Sequence, residues 1–327
     1  MIKVRDNSFD NLRFFLILLV VVGHLLETVN TGDRYSRGLQ SALYFWIYSF
    51  HMPAFIFLSG FFAKFKFRKI VKYVVLYIFF QIAYLLFSAC ILGNPTKFQF
   101  TTPYWVLWYI VVMMYCHSLI PLLNYFRPQK IWVISVAIVL SLGGGYVQSI
   151  GYPYSLSRFI VFLPFYVIGY YLGRDKNRFK EYITMNKCPL VAAAVGGTVV
   201  TVWMFLSDIA PASFLYGAHP YSENNQIMVR IIQLMVATSN IGLLLAIFVL
   251  RVNRRITCIS YLGQSTISVY LLHGFIVRYL DCFVLNMRLI YVPFWTLVIF
   301  IITGNPFVSK LFDVIQLRFP LSLRKAR

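Results

Sequence analysis

Acidic residues are scarce in this chain: ten Asp and Glu stand against 30 Lys and Arg, and charged residues make up only 12% of the whole. With 60% hydrophobic residues, that excludes an ordinary soluble domain, where about 25% of residues are charged. Paired cysteines are missing as well. Cys90, Cys116, Cys188, Cys258 and Cys282 are scattered without Cys-x2-Cys spacing, so neither a zinc site nor a disulfide framework is indicated. Gly143-Gly144-Gly145 lacks the preceding strand and the following Lys-Ser/Thr of a phosphate loop, which leaves it a turn. No internal repeat of the kind that builds inverted-repeat transporters is evident.

What the chain does have is long apolar runs. Ten are long enough to span a bilayer: about 12–29, 41–62, 71–92, 104–123, 131–147, 158–173, 189–207, 227–250, 258–279 and 289–309. They lack strand-type alternation, which leaves helices as the spanning form. The fold class expected is therefore an all-α integral membrane protein, a bundle of about ten transmembrane helices with N- and C-termini cytoplasmic. The first run is long and no small-x-small cleavage site follows it, so it is read as an anchor and not a signal peptide. Only residues 310–327 follow the last run. A single domain over 1–327 with no appended soluble domain is expected, and the chemistry must lie inside the bundle or at its rims.

The net charge of +20 would suit nucleic acid if it formed a patch, but it is distributed as topology. Lys64-Lys66-Arg68-Lys69-Lys72, Arg174-Lys176-Arg178-Lys180, Arg251-Arg254-Arg255 and Arg324-Lys325-Arg327 all fall on the cytoplasmic side. Arg34, Arg37, Lys97 and Arg288 are among the few outside or near the outer rim. Nucleic acid is not an expected partner; anionic membrane lipid is. The localisation expected is a plasma membrane, most simply a bacterial cytoplasmic one. A basic cytoplasmic face also suits a polyphosphorylated donor. Turn residues mark outer segments at about 30–40, 93–103 and 208–226. The tip His219-Pro220-Tyr221-Ser222-Glu223-Asn224-Asn225 reads as a solvated loop that could meet a carbohydrate.

Polar residues inside the runs are expensive and mark pathways or chemistry. Arg13 and His24 share the first run. Eleven steps of about 100° return to within about 20°, with a rise of about 16 Å, so both line one stripe three turns apart. Asp10 stands three residues before Arg13 and Glu27 three after His24, spacings that bring helical neighbours together. Glu27 can hold one imidazole nitrogen of His24 and leave the other basic, while the bland alternative is an anchoring Arg and a packed His. His51 opens Phe50-His51-Met52-Pro53 and is expected at the depth of His24. It is either a second site imidazole or a ring bonded to a carbonyl freed by Pro53. Ser59-Gly60 offers a small-residue surface for a helix or a slim ligand. Trp105-Val106-Leu107-Trp108-Tyr109 opens the fourth run at the outer rim, where an aromatic belt also fits. Arg158 sits at the outer surface against the positive-inside trend, a candidate for a carboxylate partner. Tyr261-Leu262-Gly263-Gln264-Ser265-Thr266 leads to Tyr270-Leu271-Leu272-His273, a third intramembrane His. Three His and a Glu have the donor types for zinc, but no local ligand spacing supports a metal, and none is expected.

In this order and context these stretches resemble the acyltransferase-3 family of membrane acyltransferases over nearly the whole chain. The branch most similar holds fucose O-acetylases and capsular or exopolysaccharide O-acetyltransferases. The resemblance implies a ten-helix bundle that moves an acyl group, usually acetyl, from cytosolic acetyl-CoA to a hydroxyl of a polysaccharide or lipid-linked glycan. It places the family's essential Arg and His on Arg13 and His24. Some members carry an extra hydrolase-like domain; without it the bundle performs both half-reactions or hands the acyl group on. The expected catalytic set is His24, Glu27, Arg13 and His51. Arg13, Lys66, Arg68 and Ser59 are expected on the donor side, with Arg13 on CoA phosphates. Trp105, Trp108, Arg158 and His273 are expected on the acceptor side. His24 would be the general base; His51, an indole of Trp105 or Trp108, or a span hydroxyl would face the oxyanion. A direct acyl-histidine relay competes with this mechanism. A transporter or flippase of lipid-linked sugars competes with the enzyme reading.

Overall fold

The computed structural model describes residues 7–29, 38–94, 97–209, 211–222, 226–250, 252, 256–284 and 287–315. Arg34, Arg37, Glu223-Asn224-Asn225, Arg251, Arg254, Arg255, Arg324, Lys325 and Arg327, named above, lie outside the described residues. Within them the fold is all helical. In chain order the helices are α1 Asn7–Thr28, α2 Leu39–Phe61, α3 Phe67–Cys90, α4 Trp108–Phe126, α5 Lys130–Gly143, α6 Leu156–Leu172 and α7 Lys176–Met185. They continue with α8 Lys187–Leu206, α9 Gln226–Leu250, α10 Thr257–Gln264, α11 Thr266–Phe283, α12 Val292–Thr303 and α13 Pro306–Ile315. Seven helical segments are long and apolar enough to cross a membrane, or eight if one bent pair counts as a span.

All ten apolar runs fall on helices, but three depart from a simple span. The run 131–147 is only the 14 residues of α5 plus a 3-10 turn at Gly144–Tyr146, and 14 residues rise about 21 Å, short of a core about 30 Å thick. The run 258–279 is broken at Ser265 into α10 and α11. The run 289–309 bends by 46° between Thr303 and Pro306, because a proline pushes the residue before it out of the helical region. Asn305 then caps α13, its side-chain oxygen accepting from the Val308 amide at 2.9 Å. The basic stretch 174–180 holds an unexpected helix, α7, whose N-cap Asp175 accepts from the Arg178 amide at 3.0 Å.

The centre of the bundle is α2 against α6 and α1 against α2, α10 and α11. Glycine sets the first of these distances. A Cβ on Gly60 would run into the Tyr166 carbonyl, and one on Gly169 into the Phe57 carbonyl. The small surface at Ser59-Gly60 thus receives a helix backbone, α6. Gly263 does the same for α10, whose backbone meets the Asp10 carbonyl of α1.

Candidate active site

α1 and α2 run side by side and each presents a polar stripe to the same interior. On α1, His24 Nδ1 lies 3.1 Å from Glu27 Oε2. Glu27 accepts hydroxyls at its other oxygen, from Tyr48 at 2.9 Å and Tyr44 at 2.6 Å. Tyr216, in the 3-10 turn Ala212–Tyr216, approaches the same oxygen at 3.4 Å and is hydrogen-bonded to Tyr44. Burial and the Glu27 charge push the Tyr216 hydroxyl up, so it stays a donor. With the Tyr48 proton committed to Glu27, His24 Nδ1 is the protonated nitrogen and Nε2 carries the lone pair.

The other helical histidines are held differently. His51, His117 and His273 each place Nδ1 at 2.7–3.0 Å from the carbonyl four residues back, on Ile47, Met113 and Val269. A carbonyl only accepts, so Nδ1 carries the proton and Nε2 the lone pair in all three. His51 therefore bonds the carbonyl of its own helical turn, not the one Pro53 frees, which belongs to Ser49. A neutral His51 in this tautomer offers an oxyanion no proton.

Rings close around His24. Trp105 packs on it with centroids 4.5 Å apart, and His273 stacks at 5.3 Å. Trp105 is held at φ +36°, a strained backbone for a bulky residue. Gln81 of α3 supports it from behind: its amide nitrogen donates to the Gln99 and Thr102 carbonyls and its oxygen accepts from the Tyr104 amide. Arg158 is buried, with its guanidinium 4.8 Å from the Trp108 ring and 5.0 Å from Tyr152. His24, Glu27, His51, Trp105, Trp108 and Arg158 together line a cavity of about 170 Å³. His273 is fully buried behind His24. The expected acceptor-side residues are thus brought together with His24, Glu27 and His51 of the expected catalytic set, but not with Arg13.

Arg13 lies elsewhere. It pairs with Asp10 at 3.0 Å and sits 4.4 Å over the Phe62 ring. It lines a second cavity of about 620 Å³ together with Ser59, Lys69, Lys72 and His117, a size within the usual range for small-molecule sites, about 300–1,000 Å³. The break between α10 and α11 opens part of this wall, from Gly263 to Ser268. Lys176 over the same Phe62 ring marks this as the basic end of the bundle. Lys66 and Arg68 are exposed beside the cavity and do not line it. Lys69 and Lys72, one and two turns into α3, do. Their spacing of three from Lys66 and Lys69 was the available signal: it is the same face, carried further into the bundle.

Sequence reasoning also missed Tyr44, Tyr48 and Tyr216, which are inconspicuous among 23 tyrosines. The signal was periodicity: Tyr44, Tyr48 and His51 stand at i, i+4 and i+7 on α2, one face of a helix. Arg230 was missed too. It is 1% exposed, faces Gln233 and the Phe214 carbonyl, and Gln233 holds the Leu215 carbonyl at 3.1 Å. The pair fixes the turn that delivers Tyr216. Among the described residues, no group of three or more His, Cys, Asp or Glu is placed to hold a metal ion.

Nodulation protein NolL of Mesorhizobium japonicum is 25% identical over 316 residues, covering 85% of this chain and 78% of that protein. Nodulation protein NolL of Sinorhizobium fredii is 43% identical over 63 residues, 18% of this chain and 16% of that one. No solved structure matches. A family model described as an acyltransferase domain matches residues 6–309, a region that contains every residue lining the smaller cavity and all but Phe312 of those lining the larger, and the chain belongs to the acyltransferase-3 family.

Proposed function

We propose that this multi-pass membrane protein is an O-acetyltransferase of the plasma membrane. It moves an acetyl group from cytosolic acetyl-CoA to a hydroxyl of a surface polysaccharide or its lipid-linked precursor. The observation that carries the reading is the separation of Arg13 and His24 into two adjoining cavities of different chemistry. The larger, at the basic end, gathers Arg13, Lys69 and Lys72, suited to the phosphates of a CoA. The smaller holds a histidine oriented by a carboxylate, with no lysine in its lining. In this arrangement the start of α1 and the basic loops face the cytosol.

Transfer then needs one proton and one acyl group to change places. His24 Nε2 takes the proton of the acceptor hydroxyl as that oxygen attacks the thioester carbonyl. Glu27 stabilises the resulting imidazolium. Collapse of the tetrahedral adduct breaks the carbon–sulfur bond, and the departing thiolate recovers the proton from His24. An indole N–H of Trp105 or Trp108, or the Arg158 guanidinium, faces the transient oxyanion. Trp108, Arg158 and the ring of His273 behind His24 shape the acceptor side.

The test is transfer of labelled acetyl from acetyl-CoA to a glycan by purified protein in vesicles. Wild type is expected to label the glycan as an ester, and His24→Gln is expected not to. A wild-type protein that neither consumes acetyl-CoA nor labels a hydroxyl, yet moves lipid-linked sugar across the vesicle, would establish the flippase in its place.

A further inference from the structure

Arg13 and His24 do not share a cavity, so a donor held at Arg13 reaches His24 only by crossing the wall between the two. Met52 and Tyr270 are the side chains that line both cavities. They come from two different helices, α2 and α11, and differ in how firmly each is held. Tyr270 is pinned: its hydroxyl donates to the Val106 carbonyl, and its ring packs on Tyr109 and His273. Tyr109 is fixed in turn by a 2.8 Å hydrogen bond to Ser59. Met52 has an unbranched thioether chain with no polar group to anchor it, the side chain best able to change shape within a packed interior. It stands on the α2 stripe that carries Tyr48 and His51 on one side of the wall and Phe55 and Ser59 on the other.

We propose that Met52 is the movable side of a constriction against Tyr270, and that its bulk sets the largest acyl group delivered to His24. The inference rests on the reading that the donor is an acyl-CoA bound at Arg13. A two-carbon acyl end of an extended pantetheine arm displaces Met52 and passes. Longer acyl chains meet Tyr270, which has no room to retreat, because Val106 and Tyr109 hold it.

The test compares kcat/KM for acetyl-, propionyl- and butyryl-CoA with one acceptor, and measures CoA binding separately, in wild type, Met52→Ala, Met52→Val and Met52→Phe. A methylene in an apolar pocket discriminates by roughly 10–200-fold. Met52→Ala is therefore expected to raise the butyryl-to-acetyl ratio by at least about tenfold, and Met52→Val to raise it by less. Met52→Phe is expected to cut acetyl transfer by about tenfold or more while CoA binding stays within about twofold. Should the Ala variant not fold, the ratio in Met52→Val and the binding-versus-transfer split in Met52→Phe decide the matter. Acetyl transfer by wild type with a flat acyl ratio across the variants overturns the gate alone. So does a Met52→Phe loss that CoA affinity matches in full. A wild type that transfers no acyl group from any of the three donors overturns the gate together with the reading beneath it.

Discussion

His24 differs from His51, His117 and His273 in what holds its ring. Those three give Nδ1–H to a backbone carbonyl of their own helix, whereas His24 gives it to a carboxylate. A carboxylate stabilises the imidazolium that forms on proton transfer; a carbonyl does so only weakly. The proposed base is thereby distinguished from the three other helical histidines. His24→Gln should lose acetyl transfer by about 10²–10⁴-fold, the usual worth of a general base, with CoA binding retained. Tyr216→Phe removes the hydroxyl that donates to Tyr44 beside Glu27, and such a hydrogen bond is worth about 0.5–1.5 kcal/mol. A fall in kcat of up to about tenfold with unchanged donor KM is the expected outcome of steady-state kinetics on that variant. At this scale the sequence was legible wherever chemistry lay at helical spacing on one segment: Asp10 with Arg13, His24 with Glu27. It was silent where the partner came from a distant turn, as Tyr216 does, because a separation of 189 positions leaves no periodicity to read.

At the level of elements, α1 and α2 are two parallel stripes that pass through both cavities. Arg13 and Ile17 of α1 face the large one and His24 and Glu27 the small one, while α2 runs from Ser59 and Phe55 to His51 and Tyr48. The stripes depend on the close approach of α2 and α6. Gly169→Ala should lower the thermal stability of the detergent-solubilised protein, by about 1–3 kcal/mol as an overpacked contact. Gly196→Ala, where a Cβ meets nothing within 4 Å, should be neutral or stabilise by up to about 1 kcal/mol. On the donor side, Lys69→Ala or Lys72→Ala should weaken CoA binding about tenfold by loss of a charge-assisted contact, and Lys66→Ala should not. Equal losses at all three positions, measured by equilibrium binding, would mean that only the general field of the basic rim matters. Helix existence was plain from hydropathy. The breaks were not, since Ser265 and Asn305 each interrupt an apolar run too briefly to lower its average, although both sites carry capping or turn residues that favour a stop.

At the scale of the whole molecule, two chambers adjoin within the bundle, a basic one proposed for a phosphorylated donor and a smaller one built around His24. The composition announced the membrane and the basic end; the partition between the chambers emerges only when four helices are packed together, and no single segment contains it. Arg13 and His24 then have separable duties, and a pair of measurements on the same preparations separates them. Equilibrium binding of CoA and single-turnover transfer from acetyl-CoA should be recorded side by side for wild type, Arg13→Ala and His24→Gln. The account predicts that Arg13→Ala weakens CoA binding by about tenfold or more, the worth of a charged hydrogen bond, and that His24→Gln binds CoA like wild type but transfers acetyl about 10²–10⁴-fold more slowly. Full CoA affinity in Arg13→Ala, or transfer at the wild-type rate in His24→Gln, would contradict it.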